Sequence, residues 1–194
     1  MNRILLCLLA ALFLAAWAPQ NSSAQTWTGN GPHSISSTSD LTTLASEVTG
    51  GNAYQGVSFE LANDIDLTGI SWAPIGAYGS PFKGNFDGQG YTISNLTIND
   101  ASLEDAGLFG PLNGATVKNL VLDVNITAKG YVGGVASYVE GGSIENCTVS
   151  GTISANDNIV GGIVGQIKSG GTMKNCSSSA NVSTTHGYIG GVAG

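Results

Sequence analysis

Charged side chains are scarce in this chain. Only 10% of its 194 residues are charged, with six Lys and Arg against 13 Asp and Glu. Nucleic-acid binding needs clustered cations, whereas the lysines between residues 83 and 174 are scattered singly. The same scarcity argues against docking on an anionic membrane surface. We therefore expect no nucleic-acid partner, and we expect an unknown surface protein or glycan instead.

Histidine is nearly absent, and the usual catalytic motifs are missing. His33 and His186 are isolated from one another, and we interpret both as solvated loop residues. The chain contains no H-E-x-x-H, no G-x-S-x-G and no Walker-type loop. We therefore expect no enzyme activity, no catalytic residues and no cofactor.

A long apolar run occurs at the N-terminus. Arg3 precedes an apolar stretch from Ile4 to Trp17, and Ser22 to Ala24 offer a small-residue cleavage site. The run falls short of the roughly 20 apolar residues of a membrane span, so a retained anchor is the less favoured alternative. We predict a signal peptide at 1–24 and a mature protein that is secreted or on the cell surface, not embedded in the membrane.

Glycine is abundant by contrast, with 29 residues. Glycine-rich marks recur every 26 to 29 residues in the second half, and self-similarity at such a period predicts a solenoid. We interpret the marks as corners, where a missing Cβ lets the chain turn sharply. The glycines to which we assign this structural role are Gly107, Gly110, Gly133, Gly134, Gly161, Gly162, Gly165, Gly190 and Gly191.

An asparagine runs in step with the glycine marks. The apolar residues flanking it are three positions apart, which breaks the alternation of a strand and requires a bend. Asparagine tolerates left-handed backbone angles and bonds to nearby backbone. We predict that these residues stack as a buried or half-buried amide ladder. They are Asn95, Asn119, Asn146 and Asn175.

Between the marks, apolar and polar residues alternate. Leu120, Leu122, Val124 and Ile126 form one inward set, and two later coils repeat the pattern. We predict an all-β fold, a parallel β-helix, with a short capping helix that begins at an Asp40 N-cap. The expected organisation is a lead-in and cap at 25–56, entry coils at 57–105 and repeat coils at 106–194. Because the chain stops inside a mark, we expect it to be a fragment of a longer protein.

Cys147 and Cys176 occupy equivalent positions on consecutive coils and should face the interior. Parallel stacking would place their Cα atoms about 4.8 Å apart, yet it would hold the Cβ atoms near 5 Å rather than about 3.8 Å. We therefore favour stacked thiols, with a strained disulfide as the alternative in an exported protein.

The acidic residues Glu60, Asp64 and Asp66, with Asp87 later, are the best candidates for a metal site. Carboxylates at i and i+2 could bind Ca²⁺, and paired carboxylates could act on glycosidic bonds. The ligand count and spacing of a calcium loop are not met, so we expect no metal. The competing interpretation treats them as turn formers and solvated strand faces.

The motif Gly-Leu-Phe-Gly at 107–110, with the Gly-Gly marks at 161–165 and 190–194, resembles the bacterial GLUG-motif repeat. The copy at 133–137 departs from the pattern because it ends in Ser137. Stretches at 59–67 and 72–90 resemble the entry module that precedes such repeats. The resemblance implies a β-helical module of secreted or surface proteins, including adhesin-like proteins and the N-terminal parts of IgA-specific metallopeptidases, without catalytic residues.

Three functions follow from these observations. The first is a structural or adhesive surface module without catalysis. The second is an accessory part of a larger exported enzyme, a peptidase or a carbohydrate-active protein. The third, a β-helical polysaccharide enzyme, is the weakest, because the outward strand positions carry Ser, Thr and Asn rather than several charged groups.

Overall fold

The structure is a computed structural model that describes residues 27–194, so the predicted signal peptide lies outside the described residues. In this range a single helix, α1 (Thr38–Thr49), follows the first strand. The strands are β1 (His33–Ile35), β2 (Ser58–Leu61), β3 (Ile65–Asp66), β4 (Asn85–Asp87), β5 (Thr92–Asn99), β6 (Asp105–Ala106), β7 (Phe109–Lys118), β8 (Val121–Ala128), β9 (Tyr131–Val132), β10 (Ala136–Glu145), β11 (Thr148–Ala155), β12 (Ile159–Gly161), β13 (Val164–Ile167), β14 (Gly171–Lys174), β15 (Ser177–Ser178), β16 (Asn181–Thr184) and β17 (Tyr188–Gly190).

These strands form parallel sheets that wrap around one core. The first sheet runs β1-β2-β4-β7-β10-β13, with β14 also paired to β10. The second runs β3-β5-β8-β11-β15, with β16 also paired to β11, and the third runs β6-β9-β12-β17. Neighbours in a sheet are distant in sequence because each coil, one turn of the helix, stacks on the coil before it.

Successive coils keep a strict register. Strand β10 pairs with β7 from Ala136 opposite Phe109 to Glu145 opposite Lys118, and β11 pairs with β8 along its whole length. The four residues predicted to face inward along β8 are all buried, whereas the alternate positions from 121 to 127 are half-buried or exposed. The prediction of a parallel β-helix is confirmed.

The helix α1 covers the first coils with the apolar face that its spacing predicts, since Leu41, Leu44, Ala45 and Val48 are buried. The predicted Asp40 N-cap is wrong. Ser37 is the N-cap, and its Oγ accepts a hydrogen bond from Asp40 N at 3.1 Å. The Asp40 carboxylate in turn accepts a hydrogen bond from Ser36 N at 2.9 Å. The side chains of Ser37 and Asp40 thus satisfy one backbone N–H inside the helix and one just before it.

Aromatic rings fill the core of the first coils. Phe82 lies 6.1 Å from Phe59 and 5.2 Å from Phe109, measured between ring centroids. His33 packs beside this row, 5.6 Å from Phe59, and lies half-buried in β1. The interpretation of His33 as a solvated loop residue is therefore wrong, whereas His186 is exposed between β16 and β17.

The coil formed by β15, β16 and β17 has a thinner core than the coils before it. Its inward residues Cys176, Ser178, Ala180 and Val182 are half-buried, because the described chain places neighbours on one side only.

In the same described range, no helix has both the length and the apolar character needed to cross a bilayer.

Candidate functional site

The corner asparagines form a column of amides on the surface. Asn175 Nδ2 donates to Asn146 Oδ1 at 3.2 Å, and Asn146 Nδ2 donates to Asn119 Oδ1 at 3.0 Å. All three adopt left-handed backbone angles, with φ between 52° and 54°. The expected burial is wrong for Asn146 and Asn175, which are exposed, while Asn119 is half-buried. The column is a surface feature because the bend turns the amides away from the core.

The predicted membership of the column is wrong for Asn95. Asn119 Nδ2 donates to Asp87 Oδ1 at 2.9 Å, so Asp87 occupies the end of this column. Asn95 instead donates to Asp66 Oδ1 at 2.9 Å, in a separate pair. In this coil the bend falls between β4 and β5, where Gly90 N donates to Asn119 O, so Asn95 lies inside β5 beyond the corner.

The carboxylates considered for calcium are used as hydrogen-bond acceptors. Asp64 Oδ1 accepts from Thr92 N at 2.8 Å, and Glu60 Oε2 accepts from Gln89 Nε2 at 3.3 Å. Hydrogen bonds from Asn95 and then Thr68 lower the pKa of Asp66. No group of three or more His, Cys, Asp or Glu in residues 27–194 is placed to hold a metal ion. This placement matches the turn-forming interpretation of these residues.

The corner glycines are selected by space. None of the nine predicted structural glycines has a positive φ, so the expected sharp backbone turn is not their reason. A Cβ on Gly133 would lie 2.5 Å from Val164 Cα of the next coil, and one on Gly107 would lie 2.6 Å from Gly133 O. At Gly107 and Gly133 the backbone therefore packs directly on the corner of the next coil.

Cys147 and Cys176 lie on adjacent coils as free thiols, Cys147 buried and Cys176 half-buried. Each Sγ donates to a backbone carbonyl, Cys147 to Glu145 O at 3.3 Å and Cys176 to Lys174 O at 3.2 Å. The contact with Cys176, together with burial, raises the pKa of Cys147. The same contact lowers the pKa of Cys176. The two thiols thus differ in accessibility and acidity.

The sequence interpretation missed a cluster of side chains beside the Gly133-Gly134 corner. We call this cluster the tyrosine cleft. Tyr131 and Tyr138 meet edge to face with ring centroids 6.0 Å apart. Lys168 Nζ lies 3.3 Å from the Tyr138 ring centroid and 5.4 Å from that of Tyr131. The cleft consists of Tyr78, Glu104, Asp105, Tyr131, Tyr138 and Lys168.

A cavity of about 260 Å³ opens at one end of the cleft, where its lining includes Pro74, Tyr78, Glu104 and Asp105 but not Tyr131, Tyr138 or Lys168. Tyr78 stands on a turn closed by hydrogen bonds between Ala77 and Ser80, and it is 86% exposed. That turn lies against β7, since Gly110 N donates to Ile75 O. The cavity therefore lies between an entry-coil turn and the start of the repeat coils.

Asp105 and Ser137 bring unused polar atoms to the base of the cleft. Ser137 is fully buried, and neither Ser137 Oγ nor Asp105 Oδ1 has a hydrogen bond of normal geometry. Burial raises the pKa of Asp105, although Ser137 and Lys168 both act to lower it. Register places Ser137 between Gly110 and Gly165, at the position where this repeat copy departs from glycine.

Comparisons with known proteins agree with this architecture. The model of the GLUG motif matches residues 129–154, which include Tyr131, Ser137, Tyr138 and Asn146. Halomucin from Haloquadratum walsbyi is 36% identical over 177 residues, 80% of this chain and 2% of halomucin. Immunoglobulin A1 protease from Streptococcus sanguinis is 32% identical over 133 residues, 67% of this chain and 7% of the protease. The chain thus spans a small fraction of the length of these curated relatives.

A crystal structure at 1.30 Å resolution, described as an immunoglobulin A1 protease from Bacteroides ovatus, is 19% identical to this chain, with a TM-score of 0.37. The match covers 86% of this chain and 85% of the other. The motif match spans one repeat copy, from before the Gly133-Gly134 pair to beyond Asn146. Residues 129–154 thus carry a GLUG motif, and the described coils around them form a parallel β-helix.

Proposed function

We propose that this chain is a non-catalytic module of a secreted or cell-surface protein, with an adhesin-like role in binding and in spacing. The observation that carries the proposal is the chemistry of the outward strand faces. Along β11 and β16 the outward positions are occupied by neutral hydroxyl and amide side chains, such as Thr152, Ser154 and Asn181. Such a surface offers hydrogen bonds to a partner and provides few acids or bases for catalysis.

The carboxylates support the same proposal because most of them already have structural partners. Asp66 and Asp87 hold corner asparagines, and Asp40 holds the start of α1. A glycosidase would instead need two free carboxyl groups facing one cleft at a defined separation.

A second candidate is an accessory module of a larger exported enzyme. The observation that favours it is the match to immunoglobulin A1 protease, which extends over 67% of this chain but only 7% of that protein. The gene sequence on either side of this chain separates the two candidates. A zinc-peptidase motif there supports the accessory role, and further repeats with a surface-sorting signal support the adhesin-like role.

Two measurements test the proposal. Purified chain is incubated with IgA1, casein and neutral polysaccharides, and we expect no products beyond those of a heat-denatured control. Intact cells of the source organism are treated with an external protease, and we expect the chain to be cleaved on the cells or recovered from the medium. Turnover that copurifies with the folded chain, or a chain protected inside the cells, would overturn the proposal.

A further inference from the structure

We propose that the tyrosine cleft binds a neutral glycan, an inference that rests on the proposed binding role and names the class of ligand. Three independent features of the cleft lead to this assignment: its available ring faces, its hydrogen-bond acceptors and its lack of excess positive charge.

The ring faces come from Tyr78 and Tyr131. The Tyr138 ring is only 9% exposed and is covered by Lys168 Nζ, so it supports the cleft from below. Tyr78 is 86% exposed and borders the cavity, while Tyr131 is half-buried and points outward from β9. Aromatic rings present a large, rigid apolar surface at low entropic cost, which suits the C–H face of a pyranose ring.

The acceptors come from Glu104 and Asp105. Glu104 is exposed at the cavity wall, where one carboxylate oxygen, Oε1, accepts from Lys129 Nζ at 2.7 Å. Asp105 Oδ1 is buried beside the cavity without a hydrogen bond of normal geometry, although Ser137 lies close enough to lower the pKa of Asp105. A buried polar atom without a partner is unfavourable, and a ligand hydroxyl can supply the missing donor. A sugar offers several such donors at once.

The charge of the cleft points to a neutral ligand. Glu104 and Asp105 are offset by Lys129, which pairs with Glu104, and by Lys168, which lies over the tyrosine rings. Glu140 and Asp157 lie near Tyr138 and Lys129, so the cleft and its surroundings carry no excess of positive charge that would attract an acidic glycan. A polyanion would also meet a chain whose formal net charge is −7.

The surroundings of the cleft favour an extended chain of sugars. In the third sheet, Asp105, Tyr131, Ile159 and Tyr188 occupy one column along the axis, one residue from each coil. The column continues the platform beyond the cavity, with Tyr188 75% exposed. A cavity of about 260 Å³ is small for a protein loop with ordered side chains and is suited to one terminal ring.

The purified chain is titrated by calorimetry and by saturation-transfer NMR with six-residue oligomers of glucose, mannose and xylose. Oligogalacturonate, heparin and a proline-rich decapeptide serve as comparison ligands. We expect at least one neutral oligomer to bind and the comparison ligands not to. Tyr78→Ala and Tyr131→Ala should each weaken that binding about three- to tenfold. Tyr91→Ala, which removes a 38% exposed tyrosine outside the cleft, should leave binding unchanged.

Tyr78 lies on an exposed turn, so Tyr78→Ala should fold normally and keeps the test interpretable if Tyr131→Ala does not fold. The proposal is overturned if no neutral oligomer binds, if binding survives both cleft substitutions, or if heparin or the peptide binds in place of the neutral oligomers. Each of these results leaves the non-catalytic surface role intact. Hydrolysis of a bound oligomer would overturn the non-catalytic role while supporting the cleft as a glycan site.

Discussion

The second glycine of each corner pair shows how one residue is constrained by the coil beside it. A Cβ on Gly134 would lie 2.5 Å from Val149 Cγ1, and a Cβ on Gly162 would overlap Gly191 O and Ser178 Oγ. Gly191 occupies the same motif position one coil later, where a Cβ would meet nothing within 4 Å. The three positions share a motif and differ only in what packs against them.

This difference predicts unequal effects of adding one methyl group. Gly162→Ala should lower the free energy of unfolding by about 1 to 3 kcal/mol, because backbone of the next coil has to move. Gly191→Ala should change it by less than about 0.5 kcal/mol. Urea denaturation followed by circular dichroism measures both, and equal effects would show that the corner glycines are not selected by space.

Asp105 predicts a pH dependence with a definite sign. Its folded pKa is raised, mainly by burial, so its contribution favours folding below the unfolded pKa of about 3.9 and is lost as pH rises through the folded value. At pH 7 the ionised group therefore costs stability. Asp105→Asn should stabilise the chain at pH 7 by up to about 1 kcal/mol, limited by solvent screening, and the gain should vanish below about pH 4.

Asp66 provides the control of opposite sign. Hydrogen bonds from Asn95 and Thr68 lower its folded pKa, so its contribution is present above the unfolded pKa and is lost as pH falls through the folded value. Asp66→Asn should therefore destabilise the chain at pH 7. Thermal melts of both variants from pH 3 to pH 8 would contradict this account if the two substitutions shifted Tm in the same direction at pH 7.

At the scale of a secondary-structure element, the asparagine column joins the bends between the first and second sheets. Asn146 has two roles, since its amide bonds to residues on both sides and its backbone has a φ of 53°. Asn146→Ala should cost about 2 kcal/mol, because it loses both side-chain bonds and places a Cβ in the left-handed region.

Asn146→Gly separates these two contributions. It keeps the backbone angle at little cost and loses the amide, so we expect a loss of about 1 kcal/mol, smaller than that of the alanine variant. Urea midpoints measure both substitutions. An alanine variant as stable as the glycine variant would show that the backbone angle does not determine the choice of asparagine.

The stacked cysteines predict unequal reactivity on neighbouring strands. Cys176 is half-buried with a lowered pKa, whereas Cys147 is buried with a raised pKa. Iodoacetamide at pH 8 should therefore alkylate Cys176 at least tenfold faster than Cys147, as followed by peptide mass spectrometry. Before alkylation, the denatured mature monomer, which lacks Cys7, should contain two free thiols, and a monomer without any would establish the disulfide alternative.

Several of these elements could be predicted from the sequence, and others could not. Alternation along 120–126 identifies β8 and its buried face, because a strand with one buried side has a period of two. The bend before β5 is made by Gln89 and Gly90 and carries no asparagine, so Asn95, which lies inside β5, was assigned to the wrong column. The irregular spacing does indicate the error, because Asn95 lies 24 residues before Asn119, whereas the next two asparagines follow at intervals of 27 and 29 residues. The tyrosine cleft joins residues from separate coils and has no local pattern at all.

Across the whole molecule, protection should fall from the middle coils toward the last one. Strand β8 is bonded on both sides, to β5 and β11, whereas β16 pairs with β11 alone. Hydrogen exchange on a dilute monomer should show faster exchange for residues 176–194 than for 117–126. At higher concentration the exposed edge should pair with another chain, and the difference should shrink. Equal protection in the dilute monomer would contradict this gradient.

The stacking of coils along one axis also determines how the molecule would respond to force. Hydrogen bonds between coils point along that axis. A pull on the two ends therefore breaks the hydrogen bonds of one coil at a time and does not load the bonds of many coils together. Coils repeat at intervals of 27 and 29 residues, and each one released would add about 90 Å of extended chain. A tether built in this way would lengthen by a similar amount with each coil that opens under tension, and its coils would refold when the tension is removed. The number of coils would determine its maximum extension.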